Sequence, residues 1–297
     1  NAGYFISLNV RKNKMASIGT IGADHSVAPK QFKFKVPPPD NDTAPKADAV
    51  VTQVNDAEVG SNPYEKYTAY QLLSAIWRSN NRIHQLGTLD RQNKKFKNLH
   101  VNDVTAAVKK AMELSAGGSD AYLAMAEYFT PNSRTAINAA GSYVFWFDID
   151  VGADKEAAGR GYATIEEARQ ALEKFCSETG LPMPTHIVAS GGGLHCYWVL
   201  DSFVDRDTWQ AYAAKLKALT HSQKFLADDS RTSDIASVLR VPDTLNFKYT
   251  PPRPVTLIHS SYDYINTATF LSAINIAHDK FCPIVVTKVE SNTNNIS

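Results

Sequence analysis

FWFDID, residues 145–150, is the stretch on which the reading of this chain turns. Phe145, Trp146, Phe147 and Ile149 make it an apolar run of strand-forming residues, with Asp148 and Asp150 two apart inside it. Residues i and i+2 of a strand share a face, so both carboxylates point the same way. Two like charges on a half-buried surface repel, and loss of water makes the repulsion worse. A divalent cation relieves both effects, so the pair is a candidate Mg²⁺ or Mn²⁺ site of the two-metal phosphoryl-transfer type. A strand end with two solvated aspartates is the competing reading.

Downstream, HIVAS and SGGGLHCYWVL (residues 186–200) read as a hairpin with Gly191 to Gly193 at its tip. Glycines there allow positive φ and bring backbone N–H groups close to an anion. Alternation places His195 and Tyr197 on one face, and Leu194, Cys196 and Trp198 on the other. His195 is then a candidate donor to a phosphate or sugar oxygen, or a structural histidine. Further on, LADDSRTSDIASVLRVPDTLNFK (residues 226–248) offers Asp228, Asp229 and Asp234, a strand at SVLRV and a turn at PDT. Arg240 and Lys248 flank that turn, where cations could meet a triphosphate. A plain surface turn with basic residues explains them equally well in isolation.

Taken together, the three segments resemble the archaeo-eukaryotic primase superfamily, most closely the primase-polymerases of plasmids, phages and mobile elements. The likeness covers about 105 residues, from Phe145 to Lys248. It implies that Asp148, Asp150 and Asp228 hold two catalytic Mg²⁺ or Mn²⁺ ions, with Asp229 and Asp234 as runners-up for the third place. It also implies that Ser190, Gly193, His195, Arg240, Asn246 and Lys248 bind the nucleotide, with His195 counted among the catalytic residues. One departure is visible: Asp243 stands where the family usually has glycine. Aspartate tolerates the left-handed region, yet its charge is unwelcome beside a triphosphate unless it points away.

The function implied is template-directed nucleotidyl transfer by a DNA primase or DNA polymerase, joining nucleotides with release of pyrophosphate. Its partners would be single-stranded DNA template and NTP or dNTP, with a helicase or accessory domain elsewhere in a longer protein. A metal-dependent nuclease, a non-catalytic single-strand or origin DNA-binding module and an inactivated primase-like protein are the rivals.

At 297 residues, 43% hydrophobic and 21% charged, the chain has ample material for a core. Its net charge of +1 provides no global field for nucleic acid, so DNA contacts need a local patch. Residues 91–110 offer one, with six basic residues against the single acid Asp103. Arg91, Lys94, Lys95, Lys97 and Arg134 are candidate DNA contacts, with Phe96 placed to stack on a base. Cys176, Cys196 and Cys282 are too scattered for a disulfide framework, and no structural zinc is expected. No apolar run long enough to cross a membrane and no secretory signal is seen, which predicts a cytoplasmic protein without a membrane partner.

The expected fold class is α/β (mixed α+β): a primase-polymerase core with a mixed, mainly antiparallel sheet flanked by helices, after a helical region and an extended N-terminal arm. Residues 1–62 form the arm, partly linker-like around VPPPDNDTAPKADAV, with GYFISLNV as a short strand. Residues 63–285 form the catalytic domain: a helical part over 63–140, the motif-bearing core over 141–260 and a last helix over 261–285. Residues 286–297 are a tail. Within the core, Thr164 and Glu167 have capping-box spacing and Gly180 stops the helix they start, with Ile165, Ala168, Leu172 and Phe175 as its buried stripe. Trp209, Tyr212, Ala213 and Leu216 make the inward face of another helix.

Overall fold

The computed structural model describes residues 62–283 except Gln92 and Tyr262. The strand expected at GYFISLNV, the linker-like arm and the tail lie outside the described residues. In chain order the elements are α1 (Thr68–Ile76), β1 (His84–Asp90), β2 (Lys95–Val101), α2 (Val104–Ala116), β3 (Asp120–Ala124), β4 (Glu127–Tyr128) and β5 (Ala139–Asp150). There follow α3 (Ala153–Ala157), α4 (Ile165–Thr179), β6 (His186–Ala189), β7 (Gly193–Asp205), α5 (Arg206–Ser222) and α6 (Asp229–Ser233). The last are β8 (Val238–Arg240), β9 (Leu245–Asn246), β10 (Arg253–Pro254), β11 (Thr256–Ser260) and α7 (Thr267–Phe281).

The fold is mixed α/β, and every ladder between these strands is antiparallel. The strands divide into a five-stranded sheet ordered β11-β6-β7-β5-β4, a four-stranded sheet ordered β2-β1-β3-β8 and the small β9–β10 pair. The stretch 63–140, expected to be helical, contains the helices α1 and α2. It also contains a β-hairpin, β1 and β2, and the strands β3 and β4, which that expectation did not include. The four-stranded sheet is therefore assembled from that hairpin, β3 and the distant β8.

Strict alternation sorts β5 and β7 into two faces. On one, Phe147 meets Trp198 edge-on at 4.9 Å and Phe175 of α4 at 5.6 Å, and Phe145 meets Phe270 of α7 at 5.7 Å. These rings are almost fully buried, and each such side chain contributes roughly 1.5–3 kcal/mol by leaving water. The face carrying Asp148 and His195 is thus left for the site. Helix α4 begins with the expected capping box and ends with Gly180 at φ 73°. Ala168, Leu172 and Phe175 are buried as expected, but Ile165 is 38% exposed because it stands at the first helical position, outside the packed stripe. On α5, Trp209, Ala213 and Leu216 are buried, whereas Tyr212 is half-buried and accepts a hydrogen bond from Asn275 Nδ2 at its phenol oxygen.

Candidate active site between the two sheets

β5 and β7 pair so that Asp148 lies opposite His195 and Asp150 opposite Gly193. Directly opposed residues share a face, which brings the acidic pair and the histidine together. Asp228 is delivered by the N-cap of α6. Its backbone N–H donates to the Asp148 carbonyl at 2.8 Å, fixing this turn against the end of β5. Its Oδ1 accepts from the N–H groups of Ser230 and Arg231 and from Ser230 Oγ, all within 3.0 Å.

Burial, and then the charges of Asp150 and Asp228, push the Asp148 carboxyl up to about 7. Burial acts on Asp228 in the same direction, but the cap hydrogen bonds from Ser230 and Arg231 hold it below the usual range. Asp229 instead pairs with His221 at 2.6 Å, and Asp234 accepts from the Ala236 N–H. His195 Nε2 is 3.7 Å from Asp148 Oδ1, and the Tyr197 hydroxyl is 3.4 Å from Nδ1. Burial, followed by Arg240 and Arg231, lowers His195 to about 3, so its ring is neutral at pH 7.

A cavity of about 330 Å³ opens over Asp148, Asp150 and His195, while Asp228, Asp229 and Asp234 are not among the residues that line it. Asp148, Asp150 and His195 line it from the five-stranded sheet; Phe96, Tyr122 and Arg240 line it from the four-stranded sheet. Arg231, Lys248 and Tyr249 also line it. Arg240 is held by Asp120 at 2.5 Å through Nη1 and donates to the Tyr122 hydroxyl through Nη2 at 3.0 Å. Asp120 is fully buried, pairs with Arg91 at 2.5 Å and accepts the Phe247 N–H at 3.0 Å. Sequence reasoning missed Asp120, which reads as a polar residue after a Gly-Gly-Ser turn; its burial depends on β1 and β8 closing around it.

The glycine turn is bound to the last motif. Asn246 donates through Nδ2 to the Ser190 carbonyl at 2.8 Å and accepts the Lys248 N–H at 3.0 Å. Ser190 Oγ donates to the Gly193 carbonyl at 3.2 Å. Ser190 and Asn246 do border the cavity, but these side chains spend their hydrogen bonds on the protein, positioning the turn and Lys248. Gly192, rather than Gly193, borders the cavity. Gly193 sits in the ladder, where an added Cβ would stand 1.9 Å from the Ile149 carbonyl oxygen.

Asp243 adopts φ 62°, as the turn demands. Its carboxylate accepts from the Ala69 N–H at 2.9 Å and from the Thr68 hydroxyl at 2.9 and 3.0 Å. The extra charge is therefore directed to the first turn of α1, a favourable place for an anion.

The candidate DNA contacts are separated by the hairpin. Phe96 faces the cavity with Leu89, while Lys95 and Lys97 alternate to the opposite face. Lys94 lies in the connecting turn with φ 54°. Arg91 is engaged by Asp120, and Arg134 donates to Asn98 Oδ1 and to the Ala236 carbonyl, its guanidinium 5.2 Å from the Phe96 ring. The basic run is thus not one surface, because strand alternation and two buried partners divide it.

The donor chemistry of Asp148, Asp150 and Asp228 suits a hard divalent cation: all oxygen, mutually repelling, with Asp148 strained toward protonation. Asp150 Oδ2 is meanwhile paired with Lys155 at 2.6 Å. Among the described residues, no three His, Cys, Asp or Glu side chains are gathered closely enough to form a ready-made metal cage. No helix among them is long and apolar enough to cross a membrane.

No family model matches the chain. A stretch of 102 residues is 26% identical to a replication protein of Clostridium perfringens, covering 34% of this chain and 24% of that protein. The chain thus spans about a quarter of that relative's length. Among solved structures it is similar to the AEP domain of the primase-polymerase of cyanophage S-2L, with a TM-score of 0.49 and 17% identity over 69% of this chain and 95% of that one. It is also similar to the catalytic domain of primase RepB′ in complex with initiator DNA (TM-score 0.43, 14% identity, 71% and 94% covered). A third is the polymerase domain of Mycobacterium tuberculosis ligase D in complex with DNA (TM-score 0.39, 13% identity, 73% and 90% covered).

Proposed function

We propose that residues 63–285 form the catalytic domain of a primase-polymerase, which joins nucleotides on a single-stranded DNA template with release of pyrophosphate. The setting would be replication of a plasmid, phage or mobile element. One observation carries this reading: a single cavity is lined both by the carboxylates Asp148 and Asp150 and by the cations Arg231, Arg240 and Lys248. A nuclease needs the acids but has no use for a cradle of cations sized to a triphosphate. The likeness of one segment to a replication protein agrees with it.

Asp148, Asp150 and Asp228 would hold two Mg²⁺ or Mn²⁺ ions, which when bound supply Lewis-acid stabilisation of charge on the reacting phosphate. Lys248 would hold the triphosphate, with Arg240 adding positive charge from its Asp120-anchored place in the wall. In the tautomer whose Nδ1 accepts from the Tyr197 hydroxyl, His195 would present Nε2–H as a neutral donor toward a phosphate oxygen. The 3′-oxygen forms its bond to the α-phosphorus as the bond from that phosphorus to the bridging oxygen breaks, and pyrophosphate leaves. Phe96, at the cavity mouth, stacks on a base of the template.

Labelled-nucleotide incorporation on single-stranded DNA, with Mg²⁺ or Mn²⁺ and with or without an annealed primer, tests the reading. Primed synthesis is expected, unprimed synthesis identifies a primase, and Asp148→Ala abolishes both while leaving the fold intact. Retained synthesis in Asp148→Ala would exclude this metal site. The Lys155–Asp150 ion pair favours a second reading, a DNA-binding module in which a lysine stands at the metal carboxylate. That module would bind DNA without incorporating nucleotides, and Asp148→Ala would not weaken its binding.

A further inference from the structure

Arg240 is the arginine that the sequence nominates for the triphosphate, yet its guanidinium is already spoken for. Nη1 is on buried Asp120, Nη2 on the Tyr122 hydroxyl, and the residue is only 8% exposed. Arg231 is in the opposite condition. It projects from α6, three residues after Asp228, and lines the same cavity as Asp148 and His195. Among the described residues its guanidinium has no hydrogen-bond or ion-pair partner, although it is half-buried. Its charge acts on the nearby carboxylates of Asp148 and Asp228, but none of its five donors is taken up by a bound anion.

Its place is fixed by the backbone rather than by its own side chain. The Arg231 N–H donates to Asp228 Oδ1 at 3.0 Å, and its carbonyl accepts from Trp146 Nε1 at 2.8 Å. The turn that delivers the third carboxylate therefore delivers this arginine with it.

We infer that Arg231 is a direct ligand of the triphosphate, binding phosphate oxygens with its free fork while Arg240 acts as a fixed, Asp120-anchored part of the wall. The inference rests on the proposed function for the identity of the anion but not for its existence. Planar forks bind phosphate bidentately, so Lys should replace Arg only in part.

The test is binding of inorganic tripolyphosphate and of a nucleoside triphosphate, by calorimetry without turnover, to wild type, Arg231→Ala and Arg231→Lys. Thermal melts run alongside report folding. The expected result is that wild type binds both and Arg231→Ala weakens both at least tenfold at an unchanged melt. Arg231→Lys should recover part of the loss, which also guards against a fold defect in the alanine variant. Equal affinity in wild type and Arg231→Ala overturns the inference, as does failure of wild type to bind either anion. Arg231-dependent binding without incorporation on primed DNA would instead leave this anion site standing and remove the polymerase reading.

Discussion

Asp148 shows how a single residue carries a conflict that the fold imposes. Its carboxyl is raised to about 7, first by burial and then by Asp150 and Asp228. Between the ordinary carboxylate range and pH 7 the folded state therefore binds a proton that the unfolded chain does not. Metal-free stability should fall as pH rises from about 4 to about 7, by on the order of 4 kcal/mol from this group. Asp148→Asn should flatten that part of the stability–pH curve and melt higher than wild type at pH 8. A denaturation series across pH, in chelator, reads the slope; an unchanged slope in Asp148→Asn would show that Asp148 titrates normally. With Mn²⁺ added, only wild type should gain stability. At this scale the sequence was legible wherever a residue's neighbours are its near neighbours in the strand, as for Asp148, Asp150 and His195. Asp120 and Arg231 were not legible. What makes each of them matter is a partner, or the lack of one, supplied by segments far along the chain.

Period-two alternation made the elements at the heart of the site readable. It put His195 with Tyr197 and Cys196 with Trp198 because a strand has no other way to arrange them. The β1–β2 hairpin escaped for the same physical reason turned round: Lys95 and Lys97 share a face with Leu99 and Val101, Phe96 shares the other with Asn98 and His100, and Gly87 sits opposite Asn98, so little apolar periodicity remains. A Cβ at Gly87 would meet the Phe96 ring at 2.2 Å, so the ring would have to swing aside. The β5–β7 ladder makes a sharper demand. An added methyl at Gly193 meets the Ile149 carbonyl beside Asp150, and backbone cannot yield as a side chain does. Gly193→Ala should cost about 2–4 kcal/mol in denaturant unfolding and lower metal affinity by displacing Asp150. A variant as stable as wild type would mean that the ladder has slack at this point.

For the whole molecule, the decisive arrangement is that two sheets each supply half of one cavity, and that the chain's near-zero net charge leaves DNA contact to local features. Phe96 faces that cavity and Lys95 and Lys97 do not. Phe96→Ala should therefore weaken single-stranded DNA binding by about 1–3 kcal/mol with little change in salt slope. Lys95→Glu with Lys97→Glu should change affinity less, and flatten the salt slope only if the strand wraps behind the hairpin. Fluorescence anisotropy over a salt series separates the two; a larger loss from the lysine pair would place the DNA on the other face. The sequence could foresee a mixed α/β body but not its division into two sheets, since β8 joins β3 across more than a hundred residues. Asp243 spans a still greater distance, 175 residues to Thr68. It serves the turn through its backbone and α1 through its carboxylate, so the two cannot drift separately over evolutionary time. Where a homologue has glycine at 243, the turn is preserved but the opening of its first helix has lost a capping partner. Such homologues should show a compensating acid or hydroxyl near the start of that helix, a covariation linking opposite ends of the domain through one side chain.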